Sequence, residues 1–453
     1  MTAVRTFDPV TDIRRLDLTA VRTGDPEAVR DRDALVRRGA VPDPAVRDAV
    51  RETLAAVRAD GDRAVRATNT RVGGGRPDGR LVLTADELRA AAEALDPEIR
   101  IALEQAIDHV RRFAETQRPV STRTTIVPGI EIERRWTPIE RVGCYVPGGS
   151  APYPSSLIMT VVPAQVAGVD RIVVASPADR AGAIHPVLAG AAGLLQVDAL
   201  IVAGGAQAIG ALAFGLPEAA VAAVDRIVGP GNAWVTAAKL EVSGEVGIDL
   251  PAGPSEGMVL ADGSADPRLV AADLVTQAEH GPDSPALLVT TDAAFAERVL
   301  SEVARWLATA ARRDILERSL RDHGRVVIAA TLDEAIEFAN AYAPEHLSVD
   351  VVQLEATVAR LRNAGSLFVG RWAPESAGDY ATGANHVLPT GGLARASGGL
   401  SVEAYGKFTQ VQRVSEAGLA SIRATVATLA EAEGLTAHRD AVESRFATSE
   451  GAR

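Results

Sequence analysis

Between about residues 142 and 369 the chain alternates short apolar runs with helical patterns, and this alternation limits its fold more than any other feature. Strand-like runs fall at 171–175, 199–203, 226–228 and 246–248, then at 258–260, 286–289, 326–328 and 367–369. Helical patterns lie between them at 156–167, 184–195, 207–214 and 233–242, then at 267–280, 293–308, 332–342 and 354–363. Strands that are apolar throughout must be covered on both faces, and a helix between successive strands lets each start in the same direction. Parallel βαβ units follow. The simplest expectation is an α/β chain with two doubly wound, incomplete Rossmann-like parallel-sheet domains in series. A length of 453 residues agrees, because single cores stop growing at about 250–300 residues.

The ends of the chain read differently. Residues 43–69 and 85–117 carry long helical patterns, and Thr84 and Glu87 have the spacing of a capping box. Residues 124–127 and 130–132 are β-rich. After Gly370 the chain is Gly-rich and irregular through Gly399, then gives a helix at 415–433 and a short tail.

A net charge of -12 argues against nucleic acid or an anionic membrane surface as the main partner, since both call for a basic face. A single cysteine, Cys144, rules out an internal disulfide, a thiolate zinc knuckle and a CxxC redox centre. Set in an apolar run without an adjacent base, Cys144 reads as packing rather than as a nucleophile. Residues 1–25 lack the apolar stretch of a signal peptide. The uncharged stretch 199–217 is broken by Gly204-Gly205 and reads as strand, turn and helix. A cytoplasmic location is expected.

Four segments concentrate polar chemistry. In Gln277-Ala278-Glu279-His280-Gly281-Pro282, Gly-Pro ends a helix, so Gln277 and His280 share one face of its last turn. An imidazole nitrogen and an amide oxygen can bind zinc, although the same pattern also suits a solvated helix end. Glu345-His346 places an acid beside a histidine in a loop, which suits two separate proton transfers or simply a polar turn. The run 374–390 gathers Asp379, Asn385 and His386 in a Gly-rich loop, with Asp379 and His386 as candidate cation ligands. Near the end, Glu433 and His438 flank the close of the terminal helix. Glycine turns at 147–150, 204–207 and 229–232 follow strand-like runs, where open α/β sheets bind ligands; none has the GxGxxG form.

Taken in order, these blocks resemble the histidinol dehydrogenase family. They include 146–152, 204–209, 229–233, 251–256, 277–284, 344–347, 374–390 and 435–438. The resemblance implies zinc ligands at Gln277, His280, Asp379 and His438, and a catalytic acid–base pair at Glu345 and His346. It implies substrate contacts at these ligands, His346, Ser255, His386 and Glu433, and cofactor contacts at Tyr145, Gln207 and Asn232. The implied chemistry is oxidation of L-histidinol through L-histidinal to L-histidine, using Zn2+ and NAD+. The implied assembly is a homodimer whose tail, with Glu433 and His438, enters the partner's site. Under this reading, residues 26–144 and 255–400 form a metal and substrate domain and 145–254 a cofactor-side domain. Residues 1–25 with 401–425 form a small dimerisation segment, and 426–453 a helical tail. A zinc hydrolase is the rival from another class, but it would leave the glycine turns without a purpose.

Overall fold

The computed structural model describes residues 7–39, 42–148 and 152–450. Gly149 and Ser150 of the first glycine turn, and Ala151 beside it, lie outside the described residues. The chain divides into two compact units, Met1–Gln117 with Ile139–Tyr405, and Arg118–Pro138 with Gly406–Arg453.

The first unit holds two six-stranded sheets. One contains β1 (Arg14–Asp17), β12 (Arg325–Ile328), β11 (Ala286–Thr290), β10 (Gly257–Ala261), β13 (His346–Asp350) and β14 (Ser366–Val369), in that spatial order and all parallel. The other contains β2 (Val82–Thr84), β7 (Ala199–Val202), β6 (Arg171–Ser176), β5 (Arg141–Tyr145), β8 (Arg226–Val228) and β9 (Gly247–Ile248), all parallel except β2. In each sheet the order steps outward from a central strand, β10 or β5, then reverses on its other side, as in a doubly wound fold.

The apolar runs are explained by this arrangement. Along β6 and β7, Ile172, Val174, Leu200 and Val202 enter one core, and Val173, Ala175 and Ile201 enter another on the opposite face. Along β10 and β11, Val259, Ala286 and Leu288 face one core, and Met258, Leu260, Leu287 and Val289 another. Both faces of each sheet are therefore covered, which removes the polar alternation of a half-exposed strand.

The pairing corrects the expected boundaries. Residues 26–144 are divided between the two sheets: the helix Pro26–Val36 packs with the first through Ala28, Leu35 and Val36, whereas β5 is the central strand of the sheet expected at 145–254 and β2 is its edge. The helix Pro44–Asp60 also packs there, through Val50, Leu54 and Val57. Within 1–25, β1 extends the first sheet beside β12, and Leu16 and Leu18 are buried there. The pattern 43–69 is two helices, Pro44–Asp60 and Asp62–Val72, broken at Gly61, whose φ of 50° is left-handed. The pattern 85–117 is likewise Ala85–Glu93 and Pro97–Thr116, the second restarted by the Asp96 cap and Pro97. The Thr84–Glu87 capping box forms as expected.

The second unit is an antiparallel sheet of β15 (Gly406–Val414), β4 (Ile130–Pro138) and β3 (Thr122–Val127), in that order. It is accompanied by the helices Glu416–Ala432 and Thr436–Glu450, tied by a bidentate Arg423–Glu443 pair. Among the described residues no helix is long and apolar enough to cross a membrane.

Candidate active site

Three chain segments meet at the amino ends of β10 and β13. The helix Pro267–Glu279 is started by Asp266, whose side chain accepts the Arg268 N–H, and by Pro267 in its first turn; it stops at His280 before Gly281-Pro282. Its last turn presents Gln277, buried, and His280, partly exposed. Gly257 opens β10 because a Cβ there would stand 2.5 Å from Gln277 Oε1. The helix Leu332–Tyr342 ends in the left-handed Ala343, and the chain then passes Pro344 to Glu345 and His346. The short helix Glu375–Tyr380 begins after Pro374 and carries Glu375 and Asp379 one turn apart on one face.

His280, Glu375 and Asp379 offer ligand atoms that all lie within 4.8 Å of one another. His280 Nε2 is 3.8 Å from Asp379 Oδ2, and its Nδ1 is 3.7 Å from Glu375 Oε1. Among the described residues the buried Glu375 Oε1 has no hydrogen-bond partner, nor has His346 Nε2. Orphaned polar atoms of this kind are costly unless something else satisfies them, and one nitrogen with two carboxylates is a donor set that suits zinc. The residues therefore fit a divalent cation. Gln277 touches the cluster's neighbour, its Oε1 lying 3.2 Å from His346 Nδ1 while its Nε2 donates to Ser255 Oγ at 3.2 Å. His386 is tied to Asp379, with Nδ1 3.1 Å from the backbone oxygen, and its Nε2 is 3.3 Å from Ser156 Oγ.

Burial sets the protonation of Glu345 and His346. His346 is held well below the ordinary imidazole value by desolvation, then by His280 and His386, so its ring is neutral. The Glu345 carboxyl is pushed up to about 8, first by burial and further by Glu256 and Asp379, although the Glu256 N–H donates to it at 2.9 Å. Burial also raises Glu375 well above the carboxylate range, with Asp379, Glu345 and Asp273 adding to the effect. A cation here would reverse the carboxyl shifts.

A separate cleft of about 1540 Å³ is lined by Tyr145, Gly204, Gly205, Gln207 and Asn232, and also by Asn69. Tyr145 ends β5, and the glycine turns follow β7 and β8. The helices Gly205–Phe214 and Ala233–Val242 begin at the cleft. Two helix N-termini at the carboxyl ends of parallel strands favour a phosphate-bearing ligand. The Tyr145 hydroxyl accepts the Gly205 N–H, Gln207 donates to Asn69 Oδ1, and Asn232 caps the helix Ala233–Val242. Gly229 must be glycine: its φ is 117°, and a Cβ would stand 2.1 Å from Tyr145 O.

A family model described as histidinol dehydrogenase matches residues 36–446. The chain belongs to the histidinol dehydrogenase family. The histidinol dehydrogenase of Natronomonas pharaonis is 45% identical over 432 residues, covering 95% of this chain and 100% of that protein. That of Leifsonia xyli subsp. xyli is 46% identical over 417 residues, or 91% and 95% of the two chains. The crystal structure of histidinol dehydrogenase from Elizabethkingia anophelis gives a TM-score of 0.88 at 33% identity, covering 98% of this chain and 100% of that one. This is a family of oxidoreductases that catalyse the last steps of histidine biosynthesis.

Of the residues expected from the family resemblance, the first unit brings together Ser255, Gln277, His280, Glu345, His346, Asp379 and His386 through the contacts above. Tyr145, Gln207 and Asn232 share the cleft. Glu433, at the end of the helix Glu416–Ala432, and His438, in the helix Thr436–Glu450, are exposed residues of the second unit. Glu375 was missed. Its signal was the spacing of four residues from Asp379 directly after Pro374.

Proposed function

We propose that this chain oxidises L-histidinol through L-histidinal to L-histidine, with two NAD+ reduced, as a zinc-dependent cytoplasmic homodimer. The observation that carries this reading is the grouping of His280, Glu375 and Asp379 beside a buried, neutral His346 and a buried Glu345. Zinc held by Gln277, His280 and Asp379, with His438 of the partner subunit, would supply a Lewis-acid anchor for the substrate's imidazole and amine nitrogens. Glu375 lies close enough to share in that site. NAD+ in the cleft bounded by Tyr145, Gln207 and Asn232 would take the hydride.

The chain's own residues handle the protons. His346, kept neutral by burial, accepts the hydroxyl proton as the alcohol becomes an aldehyde. Glu345, once deprotonated, takes a proton from the water that adds to the aldehyde, and the resulting hydrate gives up its second hydride. His346 and Glu345 are 3% and 6% exposed, so both proton transfers are sheltered from bulk water. Ser255 and His386, with Glu433 of the partner subunit, orient the substrate's polar ends.

The test is appearance of NADH absorbance with histidinol and NAD+, followed by the two half-reactions separately. Glu345→Gln should impair histidinal oxidation far more than the alcohol step, and His346→Asn the alcohol step. No NADH from histidinol refutes the substrate, and equal losses in both half-reactions refute the division of roles.

A further inference from the structure

The helix Leu332–Tyr342 leads directly into Glu345-His346, and its end is held by two arginines from distant parts of the chain. The last carbonyls of a helix have no partner within it. Here Arg38 Nη1 donates to Tyr342 O at 2.6 Å and Arg38 Nη2 to Ala343 O at 3.4 Å, while Arg395 donates to Ala341 O. Ala343, between them and the acid–base pair, has a φ of 53°, a left-handed conformation that an alanine keeps only when its surroundings hold it. The guanidinium carbon of Arg38 also sits 3.3 Å from the centre of the Tyr342 ring.

The same guanidinium grips a second segment. Arg38 Nε donates to Glu256 Oε2 at 2.7 Å and Nη2 to Glu256 Oε1 at 2.5 Å, a bidentate pair whose side chains are 16% and 4% exposed. Glu256 in turn brackets the acid–base pair with its backbone. Its N–H donates to Glu345 Oε2 at 2.9 Å, and its carbonyl accepts the His346 N–H at 3.1 Å.

We propose that Arg38 is a positioning residue for the acid–base pair, one planar group that fixes residues 255–257 against residues 342–346 and so sets where the Glu345 carboxylate stands. This rests on the reading of Glu345 as the base for aldehyde oxidation. Lysine cannot do the same work. A single ammonium on a flexible stem supplies neither the bidentate fork nor the flat face over Tyr342. A displacement of about 1 Å in such a site costs on the order of a hundredfold in rate, and reaches the step that uses Glu345 first.

The experiment uses the full-length, zinc-loaded protein with Arg38→Lys, Arg38→Ala, Glu256→Gln and, alongside, Glu345→Gln. Arg38→Lys should lower kcat for histidinal oxidation roughly tenfold or more, lower the alcohol step several-fold less, and leave KM for NAD+ within about twofold. Glu256→Gln, which keeps the backbone contacts but weakens the pair, should fall between Arg38→Lys and the parent. Ethylguanidine should restore histidinal oxidation to Arg38→Ala and leave the parent unchanged, an effect that a general loss of stability does not produce. If Arg38→Ala does not fold, Arg38→Lys and Glu256→Gln carry the test. Parent-like histidinal oxidation in Arg38→Lys, or equal losses in both half-reactions, overturns the proposal while leaving the role of Glu345 intact. Normal histidinal oxidation by Glu345→Gln overturns both.

Discussion

Replacing Glu345 with glutamine should stabilise the metal-free protein in alkali and leave its stability in acid nearly unchanged. The carboxyl is 6% exposed, and burial moves its proton affinity from the ordinary 4.5 to about 8. The folded chain therefore binds this proton more tightly than the unfolded chain does. Its contribution to stability is fully present below pH 4.5 and is lost as the pH rises through about 8. The interval from 4.5 to about 8 is about 3.5 pH units, so at about 1.4 kcal/mol each the full effect is about 5 kcal/mol. That is an upper bound, because Glu345 also bears on the buried Glu375, and the two carboxyls lose their protons over a wider range than one alone. Glutamine keeps an acceptor for the Glu256 N–H and carries no charge at any pH. Urea unfolding of chelated parent and variant at intervals from pH 5 to pH 9 gives the difference directly. Far-ultraviolet circular dichroism suits the measurement, since Trp234, Trp306 and Trp372 of the first unit are already 43%, 48% and 88% exposed and would report unfolding weakly. The variant's advantage should open with pH up to the alkaline end. A difference independent of pH, or one that favours the parent as pH rises, refutes the argument from burial.

Lys239→Met should cost about 3–5 kcal/mol in urea unfolding, because it leaves Asp249 buried without its partner. It should also raise KM for NAD+, since Lys239 Nζ donates to Gly229 O at 3.0 Å and Asp249 accepts the Gly229 N–H; an unchanged KM would detach this pair from the cofactor turn. Chelation should abolish turnover with little change in circular dichroism, and added zinc should restore it; full activity without metal sinks the zinc assignment. His280→Ala and His438→Ala, each nearly inactive alone, should recover roughly a quarter of parental activity on subunit exchange, because about half the dimers are then mixed and each has one intact site. No recovery, with mixed dimers seen by native mass spectrometry, places the tail in its own subunit's site.

Most interior strands were legible because each had to be apolar on two faces, and so were the edge strands β9 and β14, which keep apolar runs. The edge strands β1 and β2 were not. Arg14-Arg15-Leu16-Asp17 carries one apolar residue, yet β1 pairs along its whole length with β12, whose backbone supplies the order that the side chains do not announce. β15 is largely polar, and its partner β4 lies about 270 residues earlier, so no local pattern points to it. The Gly61 and Asp96-Pro97 breaks were readable signals that long periodic patterns obscured. In the site, Gln277-His280 and Glu345-His346 stood out as pairs close in sequence, whereas Glu375 lay in a run that reads as an irregular Gly-rich loop, and its place one helical turn before Asp379 came only with the fold. The glycine turns fell at the carboxyl ends of strands, as expected for such sheets. The cluster of His280, Glu375 and Asp379 formed at the amino ends of the other sheet, where the helix Pro267–Glu279 delivers its last turn. Arg38 was invisible, because nothing near it in sequence says that its partner is Glu256, 218 residues on.

The interleaving of the two six-stranded sheets also fixes an order of events during synthesis. Every strand of the sheet around β5 lies within residues 82–248, whereas the sheet around β10 needs residues from 14 to 369. β1 leaves the ribosome first and cannot pair until β12 follows, 311 residues later by the Arg14 to Arg325 register. At about 5–20 residues per second that is a wait of about 15–60 s. The cleft lined by Tyr145, Gln207 and Asn232 can thus be complete on a nascent chain in which the corner of His280, Glu375 and Asp379 does not yet exist. A chain that stalls before residue 325 presents the unpaired β1 together with the uncovered apolar faces of β10 and β11, which is the species a holding chaperone would have to protect.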